Sequence, residues 1–378
     1  MDFKYNQQLI WVIRAIILVA GGYFLLTRGW FLPPEIYVKE DAEPQEIQLL
    51  GWIPYWDQKN SFESFQKNVE LFDYVSLFWY RLDAAGDIKT YDAAFEDEEI
   101  INFARKNNVK VLAVVANLPD YFEGGNWDYK RVDKVISSTA ARKAHIQVLI
   151  GLAAEHNFDG INIDYEALKR NQRENFTAFI EEFAQALHKE GKILGVAIHP
   201  KTSENNPAED NGSAAQDWKR LAQSADQLYL MTYSEHYLGS FPGPNASPAW
   251  VDKILDYAVN KVKVPREKIF MGVPFYGHDW AQNRFGLYHG IDDDLTFDKA
   301  MSLSRRYETE ILFDKTSETP YLTYERGGET HVAWFENADS LKAKLELREK
   351  YNIPNLAFWR LGGEDPTTWE ILKNFKDR

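Results

Sequence analysis

The sequence predicts an α/β protein in which eight parallel strands alternate with helices and close into a (β/α)8 TIM barrel. Two observations carry this prediction: eight short runs of apolar and aromatic residues lie between residues 49 and 362, and amphipathic stretches separate them. Most of the runs are continuously apolar, which is typical of parallel strands buried on both faces. An open doubly wound sheet is the alternative, but no G-x-G-x-x-G turn follows the first run.

The predicted strands and helices follow one another in order. The strand runs are LLGWIPYW (49–56), YVSLFWY (74–80), VKVLAVVAN (109–117), GINIDYE (160–166), ILGVAIHP (193–200), QLYLMTY (227–233), IFMGVPFYG (269–277) and NLAFWRLG (355–362). Two of the helices between them have clear ends. One covers 172–190 and stops before Gly191, and the other covers 248–262, with Ser247 as its N-cap and Pro248 as its first residue.

The interval between the seventh and eighth strands is too long for a single helix. It contains the strand-like segments ILFD (311–314), PYLTY (320–324) and HVAWF (331–335). We therefore expect residues 280–336 to form a small α+β insertion between strand 7 and helix 7, at the carboxyl ends of the strands. A helix at about 338–350 follows the insertion.

The amino terminus carries an apolar segment, LIWVIRAIILVAGGYFLL (9–26), interrupted only by Arg14. The segment is apolar and just long enough to span a bilayer. Residues 1–28 are therefore predicted to be a transmembrane signal-anchor. A cleaved signal peptide is the close alternative, although no clear A-x-A site is present, and a buried core helix is a third. Residues 29–46 resemble a linker, which leaves 47–378 as the barrel. We expect an exported or cell-surface protein, held at the membrane by this helix or secreted if it is cleaved.

Composition excludes several classes of function. The 378 residues include 57 acidic and 43 basic side chains, a formal charge of −14, which disfavours binding to nucleic acid. The chain has no cysteine, so disulfides, thiol catalysis and cysteine-ligated metals are excluded. Aromatic residues make up 15% of the chain. Most aromatic side chains fill cores, but such an excess also suits a groove in which rings stack against a ligand.

One predicted strand carries carboxylates. Because alternate residues of a strand share a face, FDGINIDYE places Asn162, Asp164 and Glu166 on one side. The apolar residues between them face the helices, so the polar set faces the barrel interior. Two buried carboxylates so close together are expected to titrate as a coupled pair. Their place at the carboxyl end of a barrel strand favours acid–base catalysis, and a structural polar cluster is the alternative.

These residues carry a family resemblance. Asp159 to Glu166 resembles the D-x-x-D-x-D-x-E signature of family 18 glycoside hydrolases, the chitinase-type barrels. Met231-Thr232-Tyr233 is similar to the M-x-Y motif of that family, and Trp359 lies where the family has a floor tryptophan. Longer stretches, at 231–250, 273–280 and 331–353, resemble the bacterial branch of spore-cortex and germination-type peptidoglycan N-acetylglucosaminidases.

The resemblance implies a retaining, substrate-assisted mechanism, which needs a substrate with an N-acetyl group. In it Glu166 is the general acid and then the base, Asp164 orients the acetamido N–H, and Tyr233 bonds the acetamido carbonyl. Trp359 would stack under the sugar, while Asp159 and Met231 would play supporting roles. No metal or cofactor is expected.

Two positions depart from the family pattern. Asn162 stands where the family usually has a second acid, as the germination-type branch commonly does, so activity is expected to survive. Ser234 stands where the family usually has Asp or Asn, and Glu235 is a candidate to compensate.

The remaining site candidates are weaker. The aromatic residues at strand ends, Trp52, Tyr276 and Trp280, are interpreted either as sugar-binding or as packing residues. His199 and His236 lack the spacing of metal ligands and are interpreted as hydrogen-bonding or packing residues. The acidic run 292–294 lacks the spacing of an EF-hand and is interpreted as a solvated turn.

The leading functional hypothesis is a glycosidase that cleaves β-1,4 bonds next to N-acetylglucosamine in peptidoglycan or chitin-like glycans. The alternatives are a catalytically inactive carbohydrate-binding lectin and a wall-adhesion protein. The sequence leaves open the choice of glycan, exo or endo action, and the oligomeric state.

Overall fold

The computed structural model of the protein describes residues 46–121, 123–204 and 212–376. Eight parallel strands form a closed barrel, because the first strand pairs with both the second and the last. This confirms the predicted TIM-type fold, and each predicted run overlaps one barrel strand. Numbered in chain order, the barrel strands are β1 (Leu49–Pro54), β2 (Tyr74–Leu82), β4 (Lys110–Ala116), β5 (Gly160–Asp164), β6 (Ile193–Ile198), β7 (Gln227–Leu230), β8 (Ile269–Pro274) and β14 (Asn355–Trp359).

Helices cover the outside of the barrel. They are α1 (Gln58–Lys67), α2 (Glu98–Lys106), α3 (Tyr129–Ile136), α4 (Thr139–Glu155), α5 (Arg173–Lys189), α6 (Trp218–Ser224), α7 (Pro248–Asp256), α9 (Ala338–Lys350) and α10 (Thr368–Lys376). The remaining helix in this numbering, α8, packs on a second sheet and is described with it below. The predicted ends of two helices are confirmed. Gly191 follows α5 with φ +66°, and Ser247 Oγ accepts the N–H of Trp250 at the start of α7. The predicted helix 248–262 changes to a π-helical turn after Asp256.

Two apolar layers enclose the barrel wall. One fills the barrel interior and includes Leu50, Trp52, Leu112, Val114 and Tyr229. The other lies between the strands and the helices, and there Ile161, Ile163 and Tyr165 are buried. The alternation predicted for β5 is therefore confirmed, with its apolar residues outside and its polar residues inside.

A second, antiparallel sheet lies between β8 and α9. Its strands run in the order β10 (Tyr288–Leu295), β9 (Gly277–Gln282), β13 (Glu329–Trp334), β12 (Thr319–Arg326) and β11 (Leu312–Asp314). Helix α8 (Phe297–Tyr307) packs on this sheet around Ala300, Leu322 and Phe335. A short strand, β3 (Ile88–Thr90), pairs antiparallel with the end of β2.

The acidic run 292–294 lies within β10, so its interpretation as a solvated turn is wrong. Asp292 pairs with Lys299 of α8, and Asp294 pairs with the buried Arg360 just after β14. The run supplies carboxylates to cations on two neighbouring elements.

The apolar segment 9–26, and all of the predicted linker except Glu46, lie outside the described residues. Within the described ranges, no helix has both the length and the apolar character needed to cross a membrane.

Candidate active site

The site lies at the carboxyl ends of the barrel strands, where the polar side chains of β5 are located. Asp164 is the last residue of β5, and Glu166 follows two residues later. Asn162 lies deeper in the barrel, where its Nδ2 donates to Ser76 Oγ at 3.3 Å. Asn162 Oδ1 and Asp164 Oδ1 are buried without a hydrogen-bond partner in the described part of the chain. The predicted polar face is thus assembled, with unused acceptors inside it.

Asp164 and Glu166 interact as a pair. Burial raises the pKa of Asp164 well above its usual value, and the nearby Glu166 carboxylate raises it further. The protonated form of Asp164 is therefore favoured in this environment. Glu166 is the more exposed of the two carboxyl groups, since Asp164 is buried and Glu166 only partly so.

The Glu166 backbone is fixed from the neighbouring strand. Asn117, immediately after β4, donates from Nδ2 to the Glu166 carbonyl at 2.9 Å. Its Oδ1 accepts the Glu166 N–H at 2.8 Å. Ala167 follows with φ +57°, a strained conformation for a residue that has a side chain. This reciprocal pair of side-chain bonds follows the end of the β4–β5 ladder and sets where Glu166 leaves the strand.

Two tyrosines form the adjoining wall. The rings of Tyr233 and Tyr276 lie 6.0 Å apart at the ends of β7 and β8. Burial raises the pKa of Tyr233 well above its usual value and raises that of Tyr276 to about 12. Both phenols therefore keep their protons at neutral pH and act as donors. Ser234, with φ +66°, has its Oγ 3.2 Å from the Tyr276 hydroxyl, and Asn245 Oδ1 accepts its N–H.

A cluster of aromatic rings forms the floor. Trp359, half-buried at the end of β14, has its ring centroid 5.7 Å from Trp52, 6.0 Å from Trp56 and 5.5 Å from Phe78. Trp52 is only 4% exposed and lies within the barrel interior, so it supports Trp359 and offers no face for a sugar. Its interpretation as a sugar-binding ring is corrected to packing. Trp56 is 43% exposed and extends the open aromatic surface.

Two further candidates for substrate binding make hydrogen bonds within the protein instead. Trp280 is fully buried in β9, and its Nε1 donates to the Tyr237 carbonyl at 3.3 Å, so it offers no face to a ligand. Glu235 Oε2 accepts the N–H of Ser247 at the start of α7, at 2.7 Å. It stabilises that helix start and does not replace the acid missing at position 234.

The two residues assigned supporting roles lie in the barrel wall. Asp159 lies at the opposite end of β5, where its Oδ2 accepts the N–H of Val111 at 2.8 Å. Met231 donates its N–H to Ile198 at 3.0 Å and packs in the outer apolar layer. Among the residues that the structure describes, no group of three or more histidine, aspartate or glutamate side chains could hold a metal ion.

The family model for glycosyl hydrolases family 18 matches residues 51–364, most of the chain. The chain belongs to this family. It is therefore a glycosidase, and the fold and the β5 signature agree with that membership.

This family 18 glycosidase is similar to several known proteins. It is 30% identical, over 72% of this chain and 77% of the other, to YvbX, an uncharacterized glycosylase of Bacillus subtilis (strain 168). Among solved structures, it is similar to the spore cortex-lytic enzyme SleL of Bacillus megaterium QM B1551, with a TM-score of 0.75 and 25% identity over 87% of this chain and 73% of SleL. A chitinase from Chromobacterium violaceum ATCC 12472 has the same TM-score and 27% identity, over 86% of this chain and 98% of that one.

Sequence reasoning missed Asn117, which contacts Glu166 in this glycosidase, and named His199 only as a hydrogen-bonding or packing residue, without its partner. Asn117 ends the apolar run 109–117, and a polar residue at the carboxyl end of a barrel strand was the available signal. His199 has its Nε2 3.1 Å from Glu166 Oε2, a contact that depends on the pairing of β5 with β6 and has no local sequence signature.

Proposed function

We propose that this glycosidase cleaves β-1,4 bonds next to N-acetylglucosamine by a retaining, substrate-assisted mechanism. The observation that carries the proposal is the Asp164–Glu166 pair at the end of β5, in which burial and the nearby Glu166 raise the pKa of Asp164. The resemblance of the β5 signature to that of family 18 implies that the carbonyl oxygen of the substrate's 2-acetamido group is the nucleophile, in place of a second carboxylate.

In the first step Glu166 donates its proton to the glycosidic oxygen as the bond from that oxygen to C1 breaks. The carbonyl oxygen of the 2-acetamido group forms the new bond to C1, which gives an oxazolinium ion. In this step Asp164 is charged and accepts a hydrogen bond from the acetamido N–H. Tyr233 donates a hydrogen bond to the acetamido carbonyl oxygen. These groups act through proximity and electrostatic stabilisation.

In the second step Glu166 accepts a proton from water as the water oxygen attacks C1 and the oxazolinium ring opens. Two inversions at C1 give net retention. Trp359 stacks under the reacting sugar, supported by Trp52 and flanked by Trp56. Tyr276 lies beside Tyr233 and helps to shape the pocket around the acetamido group.

We propose peptidoglycan as the first substrate to test, because the relative SleL is described as a spore cortex-lytic enzyme. Chitin-like oligosaccharides are the second candidate, favoured by the similarity to a chitinase over nearly all of that chain. Both glycans contain the N-acetyl group that the mechanism requires.

The deciding experiment measures the release of reducing ends from purified peptidoglycan and from chitooligosaccharides. We expect wild-type activity on at least one glycan, a drop in kcat of about 10³-fold for Glu166→Gln, and essentially no cleavage of a 2-deacetylated substrate. Efficient cleavage of the deacetylated substrate would rule out substrate assistance. A wild-type protein that binds both glycans but cleaves neither would instead support the lectin or wall-adhesion alternatives, which the intact Glu166 disfavours.

We also propose that the protein is exported and held at a membrane by residues 1–28, on the strength of their apolar composition. Membrane fractionation with carbonate washing tests this proposal. The full chain should stay with the membrane, and a chain without residues 1–30 should not. Retention of the shortened chain would contradict the anchor.

A further inference from the structure

We propose that His199 is a positioning residue that holds the Glu166 carboxyl group during the reaction. His199 lies outside the β5 signature and the M-x-Y motif, and it follows β6, the strand next to β5 in the barrel. The inference rests on the proposed role of Glu166 as general acid and base.

The contact between the two side chains is short and buried. His199 Nε2 lies 3.1 Å from Glu166 Oε2, and the two side chains are 9% and 15% exposed. The distance is that of a hydrogen bond although the angle is poor, and Nε2 has no other hydrogen-bond partner in the described ranges. Glu166 is therefore the nearest group that can satisfy this buried nitrogen, and a small adjustment of either side chain would align them.

The backbone that carries His199 is fixed independently. Its N–H donates to Gln216 Oε1 at 2.7 Å, and Gln216 Nε2 donates to the Ala197 carbonyl at 3.2 Å. Gln216 is fully buried, so this bridge holds the end of β6 in place without help from the imidazole. The imidazole ring is therefore not needed to hold this backbone. Its orientation toward Glu166 has a separate explanation.

Imidazole chemistry supplies that explanation. A ring nitrogen donates when it carries hydrogen and accepts when it does not. Glu166 alternates between a protonated acid and a carboxylate during one turnover, and His199 can bond either form. Asp164 on the same strand, and Tyr233 and Tyr276 at the ends of β7 and β8, are ionisable groups that also lie near this carboxyl group. His199 approaches from the side of β6, opposite to the Asn117 bonds that come from β4.

The test compares His199→Leu with His199→Gln. Leucine fills the space without a polar atom, whereas the glutamine amide nitrogen can reach the position of Nε2. We expect leucine to lower kcat about 10–100-fold with KM changed less than about 3-fold, because a mispositioned acid weakens the transition state more than ground-state binding. Glutamine should restore kcat to within about 5-fold of wild type. His188→Gln, at an exposed histidine of α5, is the matched control and should behave as wild type.

A second measurement covers the case in which the leucine variant does not fold. His199→Ala leaves space for free imidazole, and added imidazole should raise its kcat about 5-fold or more at saturation. Equal losses of kcat in the leucine and glutamine variants, together with no response of the alanine variant to imidazole, would overturn the positioning role. Unchanged kcat in the leucine variant would overturn it as well.

The experiments distinguish a failure of the proposed function from a failure of the positioning role of His199. If Glu166→Gln keeps full activity, Glu166 is not the acid, and the proposed function fails whatever the His199 variants do. If Glu166→Gln is inactive and the His199 variants follow neither expectation, only the positioning role fails.

Discussion

Asp164 is the residue at which stability and the proposed catalytic role are opposed. Its carboxyl group lies inside the barrel beside Glu166, and one of its oxygens has no hydrogen-bond partner among the described residues. A buried polar atom left unpaired costs roughly 1–3 kcal/mol, and a buried charge costs more. The proposed mechanism, in which Asp164 bonds the acetamido N–H, is a reason for a carboxyl group at this position.

Asp164→Asn should therefore stabilise the protein while it lowers kcat by about 10²-fold or more. The folded pKa of Asp164 is raised, so the folded state binds its proton more tightly than the unfolded state does. Stability from this group is present below the unfolded pKa of about 4 and is lost as pH rises through the folded pKa. The amide has no such titration, so its advantage should grow with pH to about 1 kcal/mol or more at neutral pH.

Urea denaturation of both proteins between pH 4 and pH 8 measures this difference. Asp159→Asn is the control, since Asp159 accepts the N–H of Val111 at the other end of β5. That variant should gain no stability. A variant Asp164→Asn that is less stable than wild type at pH 8 would contradict the raised pKa of this buried carboxyl group.

At the scale of single residues, the sequence predicts the side of the barrel on which a side chain lies better than it predicts the groups that the side chain contacts. Alternation along β5 correctly assigns Asn162, Asp164 and Glu166 to the barrel interior, because a strand has a strict period of two. It could not show that Trp280 is buried or that Glu235 bonds the start of α7, since both depend on chain segments far away in sequence. The same limit hid the contact of His199 with Glu166.

At the scale of elements, Gly160 sets how closely β5 approaches its neighbour. A Cβ added at Gly160 would lie 2.3 Å from the Ile193 carbonyl oxygen and 2.7 Å from Leu112 Cδ2. The first of these is backbone of β6, which cannot move without opening the barrel wall.

Gly160→Ala should lower the free energy of unfolding by about 2–3 kcal/mol, the usual cost of overpacking a core. Gly151→Ala is the matched control, because Gly151 lies in α4 with open space around it. There alanine should add about 0.5–1 kcal/mol through helix propensity. Chemical denaturation of the two variants checks both signs, and a neutral effect at Gly160 would contradict the close approach of the strands.

Arg360 joins the second sheet to the barrel. Its Nε lies 3.1 Å from Asp294 Oδ1 of β10, and its other nitrogens bond Asp294 and Asp57, just after β1. The guanidinium is 2% exposed, so both ion pairs are largely shielded from water. Lysine cannot bond two carboxylates in this planar geometry.

Arg360→Lys should therefore loosen β10 and destabilise the protein by about 2–3 kcal/mol. Limited proteolysis should cut within residues 283–296 faster than in wild type, because the carboxylate side of β10 has lost its anchor. Lys342→Ala, which removes an exposed ion pair with Asp339, should change neither measurement appreciably. Equal proteolysis rates in the Arg360 variant and wild type would contradict the anchoring role.

The barrel strands could be predicted from sequence because each is a local apolar run, but two strands of the second sheet could not. β9 and β10 carry polar residues such as His278, Asp279 and Asp292. Their pairing is fixed by contacts with each other and with β13, which local patterns do not report. The acidic run was for that reason assigned to a turn.

At the scale of the whole molecule, buried histidines link stability to pH. His145 and His278 lie in different parts of the protein, yet burial lowers the pKa of each to about 4. Both ring nitrogens of His278 are buried without a hydrogen-bond partner in the part of the chain described, between the rings of Tyr276 and Trp280. His145 has one partner, the Tyr165 hydroxyl, at 2.8 Å.

The sign of the effect follows from the lowered pKa. Above pH 6.5 each histidine is neutral in both states and adds no pH dependence. As pH falls from 6.5 to 4, the unfolded chain gains protons that the folded state does not bind, so stability falls. A shift of this size is worth about 3 kcal/mol for each histidine. Buried carboxyl groups with raised pKa, such as Glu336 and Glu364, act in the opposite direction.

A single substitution separates the histidine effect from that of the carboxyl groups. His278→Phe removes the titrating ring and loses no hydrogen bond described in the structure, so its stability should match or exceed wild type at pH 7.5. The difference in free energy of unfolding between variant and wild type should then grow by about 3 kcal/mol between pH 6.5 and pH 4, because the carboxyl contributions cancel in the difference. His289→Gln, at a half-exposed histidine, should show a change of less than about 0.5 kcal/mol over the same range. If the His278 difference stays constant across this range, the buried imidazole of His278 does not link stability to pH.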